Sequence, residues 1–267
     1  MKTYPRVLAI AGSDSGGGAG IQADIKSISA TGSYAACAIT AITVQNTMGV
    51  SNVMPIPPEI IAAQIDAVVT DIGADAVKIG MLHSSEVIKA IRAKLHELSV
   101  GNIVLDPVMV STSGHRLIEE EAVATLVSEL IPMARVITPN IPEAEILSGE
   151  KISCQDDLPR IARKLSFGGK VSVMMKAGHL SDRSVVDIFY NAEEDRMVEL
   201  PSRRVDTPNT HGTGCTLSSA IASYLAQGMD PDSAVTFAKN YIAGAIESGS
   251  HYIIGHGHGP VDHFWKR

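Results

Sequence analysis

RVLAIAGSDSGGGAGIQADIKSIS, residues Arg6–Ser29, decides how this chain folds. Val7-Leu8-Ala9-Ile10 is a short apolar run suited to a buried strand. Beyond Gly20, Ile21, Ile25 and Ile28 recur at helical spacing, and Gly32 stops the segment. Between strand and helix lie Gly16, Gly17, Gly18 and Gly20, four glycines in five positions. A glycine loop there usually announces a phosphate, but neither common template fits. No lysine follows for GxxxxGK[ST], and Gly16 and Gly18 are followed by Ile21 where GxGxxG needs a third glycine. The loop needs another role.

Outward from this unit the same alternation continues. Strands are expected at Arg6–Ala11, Ala35–Val44, Ala76–Ile79, Ile103–Leu105, Arg135–Thr138 and Val171–Lys176. Helices are expected at Gly20–Thr31, Ser84–Leu98, Glu119–Leu130, Pro142–Leu147 and Asp156–Phe167, with another running from Pro58 to Gly73. Val185–Tyr190 and Arg196–Leu200 read as an antiparallel pair turning at Glu193-Glu194-Asp195. Two last helices, Gly214–Gln227 and Pro231–Ser248, are each followed by glycine, Gly228 and Gly249. This rhythm predicts an α/β fold: a mainly parallel sheet with helices on both faces. With no repeat, low-complexity tract or linker, residues 1–267 form a single domain in this reading. Ligands of such sheets sit beyond the carboxyl ends of the strands, so residues just after strands matter most.

Composition excludes some classes. Aromatics make up 4 % and the formal charge is −7, which argues against a nucleic-acid surface. No signal peptide is read at Met1-Lys2-Thr3-Tyr4-Pro5, and no apolar run approaches the ~18 residues of a membrane span. Cys37, Cys154 and Cys215 are odd in number and widely spaced, which suits a reducing cytoplasm.

Asn209-Thr210-His211-Gly212-Thr213-Gly214-Cys215 opens an amphipathic helix whose Leu217, Ile221 and Leu225 share one face. Free amides at such a start form an anion cradle, and a first-turn thiol has its thiolate favoured by the helix dipole. A capped helix start with a small buried cysteine explains the same residues. Asn140 and Glu143, three apart after a strand, can hold Mg²⁺ through waters, or form an N-terminal capping box. Asp106 is another carboxylate at a strand end, and Lys176 an ammonium that burial would drive toward an anion unless it reaches the sheet rim. Gln45, after the second strand, and Lys78-Ile79-Gly80-Met81, around the third, are weak signals alone. The C-terminal His251, His256, His258 and His263 lack helical metal spacing and read as a structural or mobile tail.

Together, AGSDSGGGAGIQADIKS, TAITVQNT, VKIGM, VLDPVMV, ITPNIPEAEIL, MMKAGH, NTHGTGCTLSSAIA and GHGPVDHF occur in this order from Val7 to Phe264. They resemble the hydroxymethylpyrimidine / hydroxymethylpyrimidine-phosphate kinases of thiamine biosynthesis, in the ribokinase-like superfamily. The resemblance implies a three-layer α/β/α sandwich and a homodimer. It also implies two ATP- and Mg²⁺-dependent transfers, to an aminopyrimidine alcohol and then to its monophosphate. By matching position it implies pyrimidine contacts at Ala19, Gln45, Met81, Cys215 and Asp24. The ATP side falls to Lys176 and Asn140, with metal near Asp106 and Glu143. Gly212, Thr213, Gly214 and Cys215 serve the transferring phosphoryl group. The glycine loop then belongs to the acceptor side.

Cys215 stands where ribokinase-type sugar kinases carry an aspartate base, and is read as a base or a positioner. Three other readings stand beside this one: a pyridoxal kinase of the same fold or dual activity, a Cys215–His211 hydrolase, and a non-catalytic pyrimidine or nucleotide sensor.

Overall fold

The structure, a computed structural model, describes residues 3–109, 117–178 and 184–266. Val110 of VLDPVMV and His179 of MMKAGH lie outside the described residues. Nine strands form one sheet in the order β3-β2-β1-β4-β5-β6-β7-β8-β9. They are β1 Arg6–Asp14, β2 Tyr34–Asn46, β3 Gly49–Pro55, β4 Ala76–Ile79, β5 Ile103–Leu105, β6 Val136–Ile137, β7 Ser172–Met175, β8 Ser184–Asn191 and β9 Arg196–Arg203. From β2 through β7 neighbouring strands run parallel, while β3, β8 and β9 add antiparallel edges.

The alternation of β1 sets the layers. Leu8 and Ile10 face one apolar core and Val7, Ala9 and Ala11 the other. The first core is closed by α2 (Pro58–Asp71), α3 (Ser85–Glu97), α4 (Glu120–Thr125), α5 (Ile141–Ser148) and α6 (Leu158–Leu165). The second is closed by α1 (Gly20–Ala30), α7 (Thr213–Ala226) and α8 (Pro231–Gly249). The result is the expected α/β/α sandwich. Local rules place many ends: Ser84 caps α3 through Val87 N, Asp230 caps α8 through Ser233 N, and Gly149 ends α5 at φ +69°.

Four expectations change. β3 forms where no strand is expected, because its mostly exposed mix of apolar and polar residues carries no clean alternation; it hairpins onto β2. β2 is not buried throughout: Thr43 and Ala41 point inward while Ile42 and Val44 are exposed. Helix α7 is buried all round from Thr216 to Leu225 rather than amphipathic. Its polar residues bond inside the protein, Ser219 Oγ to Asp24 and Ser223 Oγ to Ser33 Oγ. Gly249 does not cap α8. It is the last helical residue, and a Cβ there would crowd the backbone of Val261 and Asp262 in the docked C-terminal segment.

Candidate active site

A cleft of about 620 Å³ runs along the carboxyl ends of the parallel strands. β1 contributes Asp14, β2 Thr43 and Gln45, and the turn after β4 Met81. Asp106, Asn140 and Lys176 follow β5, β6 and β7. The start of α7 forms the floor. Of the expected site residues, Ala19, Gly212, Thr213, Gly214, Cys215 and Glu143 also line it. Asp24 does not.

One half of the cleft gathers groups suited to an anion. The α7 amides of Gly214 and Cys215 lie in its first turn, which has no acceptors within the helix. Gly212 turns into the helix at φ +81°, and a Cβ there would run into the Gly18 carbonyl oxygen. Only glycine brings the two loops this close. A Cβ on Gly214 would lie 3.3 Å from both Asp106 Oδ2 and Lys176 Nζ, so these groups border the helix start. Lys176 Nζ donates to Asp106 Oδ1 at 2.9 Å and lies 3.9 Å from Glu143 Oε2. Thr138 Oγ1 donates to Asp106 Oδ1 at 3.0 Å. Leu217, Ile242 and Ile246 supply an apolar stretch beyond.

The capping reading of Asn140 and Glu143 is realised. Glu143 N donates to Asn140 Oδ1, and Asn140 N donates to Glu143 Oε2. The same carboxyl still faces the cleft. Burial pushes it up to about 7; Lys176 pulls it down and Asp106 pushes it further up. Two buried carboxylates around one ammonium leave negative charge without a full partner, and a divalent cation fits that deficit.

The other half is built on the glycine loop. Asp14 accepts from the amides of Gly16, Gly18 and Ala19 and from His211 Nε2, which ties the loop to the α7 entry. Gln45 is pinned to the loop through its backbone: Gln45 N donates to Ser15 Oγ, and Ser15 Oγ donates to Gln45 O. Met81 is nearly covered, its carbonyl accepting from Thr40 Oγ1 at 2.8 Å.

Two expectations are corrected here. Asp24 is removed from the cleft wall. It is fully buried on α1, where Lys78 Nζ meets both its oxygens at 2.8 and 2.9 Å and Ser219 Oγ donates to it. Its sequence neighbours gave no sign of a lysine 54 positions away. Cys215 does not favour its thiolate. Although it borders the cleft, burial pushes the thiol up to about 11, against the pull of Lys78 and with the push of Asp24 and Asp106. The helix dipole loses to desolvation. The hydrolase reading weakens as well, because a thiol raised to about 11 holds little of the thiolate such a nucleophile needs.

Sequence reasoning missed Asp14, His211's true partner, Thr43 and the pair Asp187–Lys239. Asp187 Oδ1 accepts from Ala177 N and Oδ2 from Lys239 Nζ at 2.6 Å, both residues lining the cleft. For Asp14 a signal existed, since a short carboxylate two residues before a glycine run is suited to gather loop amides. Asp187 sits among strand residues and carries no such mark.

A sequence profile of the family described as phosphomethylpyrimidine kinase matches residues 14–262. The hydroxymethylpyrimidine/phosphomethylpyrimidine kinase of Rhizobium meliloti is 48 % identical over 97 % of this chain and 98 % of that protein. The thiamine biosynthesis bifunctional protein of Geobacter sulfurreducens is 49 % identical over 97 % of this chain; the chain spans 53 % of its length. Among solved structures, the ADP complex of Bacillus subtilis pyridoxal kinase is similar with a TM-score of 0.89 at 36 % identity, covering 98 % of each chain.

Proposed function

The chain belongs to the phosphomethylpyrimidine kinase family, and from that premise we propose that it performs two ATP-dependent phosphoryl transfers of thiamine biosynthesis in one ribokinase-like domain. In the first, the hydroxymethyl oxygen of 4-amino-5-hydroxymethyl-2-methylpyrimidine bonds to the γ-phosphorus of ATP. The bond to the bridging oxygen breaks, ADP leaves and the hydroxyl proton is lost. In the second, a phosphate oxygen of that monoester attacks the γ-phosphorus of another ATP and gives the diphosphate.

The observation that carries this reading is the joining of two unlike halves in one cleft. Gln45 and Met81 line the same cleft as Lys176 and Asp106, and the α7 start with Cys215 borders both groups. The amides and Lys176 supply fixed positive charge where a transferring phosphoryl group develops negative charge. The side-chain amide of Gln45 can donate to a ring nitrogen while accepting from the adjacent exocyclic amine, the two-point match amides make with adenine.

Mg²⁺ is held, in this proposal, by Asp106 and Glu143, and when bound it offsets phosphate charge. The homodimer rests on the resemblance, with exposed Ile42, Val44 and Met54 on β2 and β3 in support, and the cytoplasmic location rests on the odd, widely spaced cysteines. Among the described residues no helix is long and apolar enough to cross a membrane.

Pyridoxal kinase is the second reading, favoured by the close match in shape to such enzymes. Gln45→Met separates the two. It should lower kcat/KM for the aminopyrimidine by roughly 1–3 kcal/mol, because a polar ligand edge loses its partner. Any pyridoxal use should fall much less, since that ring has no amine beside its nitrogen. ATP consumption with both acceptors side by side measures it, and equal losses would mean that Gln45 does not read the amine.

A pH profile tests the cation side. Glu143 must be ionised to hold metal, and its carboxyl is raised to about 7. Activity of both transfers at limiting Mg²⁺ should therefore rise as pH climbs through about 7. Excess Mg²⁺ should move the inflection downward, because the cation favours the ionised form. Glu143→Gln should lower kcat on both steps and flatten the profile. An unchanged inflection in that variant would assign the titration to another group.

A further inference from the structure

Asp14, at the end of β1, is 3 % exposed and receives four donors. Gly16 N donates to Oδ1 at 2.7 Å, while Gly18 N, Ala19 N and His211 Nε2 meet Oδ2 at 3.0, 2.8 and 2.8 Å. Burial works against its charge, but the His211 ring and the amides of Ala19 and Gly16 more than offset it, holding the carboxyl below its usual range. An ionised carboxylate only accepts, so the imidazole proton facing it must sit on Nε2. That nitrogen then has no lone pair to offer.

Gln45 adjoins the same atom. One end of its side-chain amide lies 3.4 Å from His211 Nε2 and the other 2.9 Å from Thr43 Oγ1. With Nε2 toward His211 and Oε1 toward Thr43, two N–H donors confront each other. The Thr43 hydroxyl must also share one hydrogen between Gln45 and the Ser13 carbonyl, which is 2.9 Å away and can only accept. Turning the amide by 180° removes both conflicts. Oε1 then takes a secondary share of the one His211 Nε2 hydrogen that Asp14 Oδ2 holds at 2.8 Å, and the amide Nε2 donates to Thr43 Oγ1, whose hydrogen goes to Ser13.

We propose that His211, held by Asp14, is a positioning residue that fixes the polarity of the Gln45 amide and thereby the order of donor and acceptor offered to the acceptor ring. The inference rests on the aminopyrimidine reading of the cleft. An aminopyrimidine carries its ring acceptor directly beside its exocyclic donor, so a Gln45 of fixed polarity accepts that edge in one sense only. The reversed ring would pair donor with donor. His211 therefore selects the orientation in which the hydroxymethyl group is presented, without itself touching the reacting atoms.

The test uses the full chain. Nitrogen–proton correlation spectra of the imidazole should show His211 as the Nε2–H tautomer; an Nδ1–H tautomer overturns the proposal whatever the substrate. Calorimetric binding of the aminopyrimidine without nucleotide should weaken roughly tenfold or more in His211→Leu, about the worth of a hydrogen bond to a polar edge. The KM for ATP should stay put. His211→Gln keeps an N–H donor on the side chain and should recover most of the binding. In a Gln45→Met background, His211→Leu should cost little more, because it acts through Gln45. Additive losses, or a matching rise in the KM for ATP, overturn the positioning role while wild-type binding leaves the functional reading standing. If the wild-type chain binds no aminopyrimidine, that reading fails and takes this inference with it.

Discussion

Cys215→Asp is expected to slow the second transfer roughly a thousandfold while leaving the first within about tenfold of the parent. The second acceptor is a phosphate monoester, already anionic. A carboxylate about 4 Å from it costs roughly 4 kcal/mol at an effective dielectric near 20, which is about three orders of magnitude in rate. The first acceptor is a neutral alcohol and meets no such repulsion. Cys215→Ala probes the other half of the argument. With the thiol raised to about 11, roughly one molecule in ten thousand carries a thiolate at neutral pH. Cys215 is therefore not a resident base, and phosphoryl transfer through a loose transition state does not demand early loss of the proton. Alanine should lower both steps alike and by less than about tenfold, whereas loss of base catalysis would cost the first step alone about 10²–10⁴-fold. Single-turnover rates with each acceptor supplied separately decide between these outcomes. A selective collapse of the first step in the alanine variant would restore Cys215 as a base.

Lys78→Met is expected to destabilise the fold by about 3–5 kcal/mol, lowering the melting temperature by roughly 10 °C. Lys78 and Asp24 are both fully buried, and their ion pair joins β4 to α1 while Ser219 adds α7 to the same knot. Burial alone would strip the ammonium of its proton, but Asp24 keeps Lys78 above its usual range. Methionine has a similar volume and leaves the Asp24 carboxylate buried with only a serine for partner. The companion Asp24→Leu in the same chain removes that orphaned charge. Replacing a whole buried pair by apolar side chains is often neutral, so the double variant should recover most of the loss. Thermal unfolding of the parent, the single and the double variant reads this directly. If the double variant is as unstable as the single, packing rather than charge explains the position.

The layered fold could be read from the sequence because its signals are local. Val7 to Ala11, Ile21 to Ile28 and the caps at Ser84, Asp230 and Gly149 each depend on neighbours within a few residues. The cleft's location followed from the same pattern, since Asp106, Asn140 and Lys176 all come just after strands. Local signals were weakest where polarity was ambiguous. β3 lacks alternation, and the serines of α7 look like a solvent face although each of Ser218, Ser219 and Ser223 is buried and bonded.

What only the tertiary structure decided were the states of the charged and polar side chains. Asp24 finds Lys78, Asp14 finds His211 and Glu143 shares Lys176 with Asp106 across long stretches of chain. Such groups take their charge from burial and from partners brought close by folding, and neither quantity is a property of nearby sequence. The order of elements determined where the cleft lies, and the packing determined that Cys215 is a thiol, that Asp24 is structural and that His211 answers to Asp14.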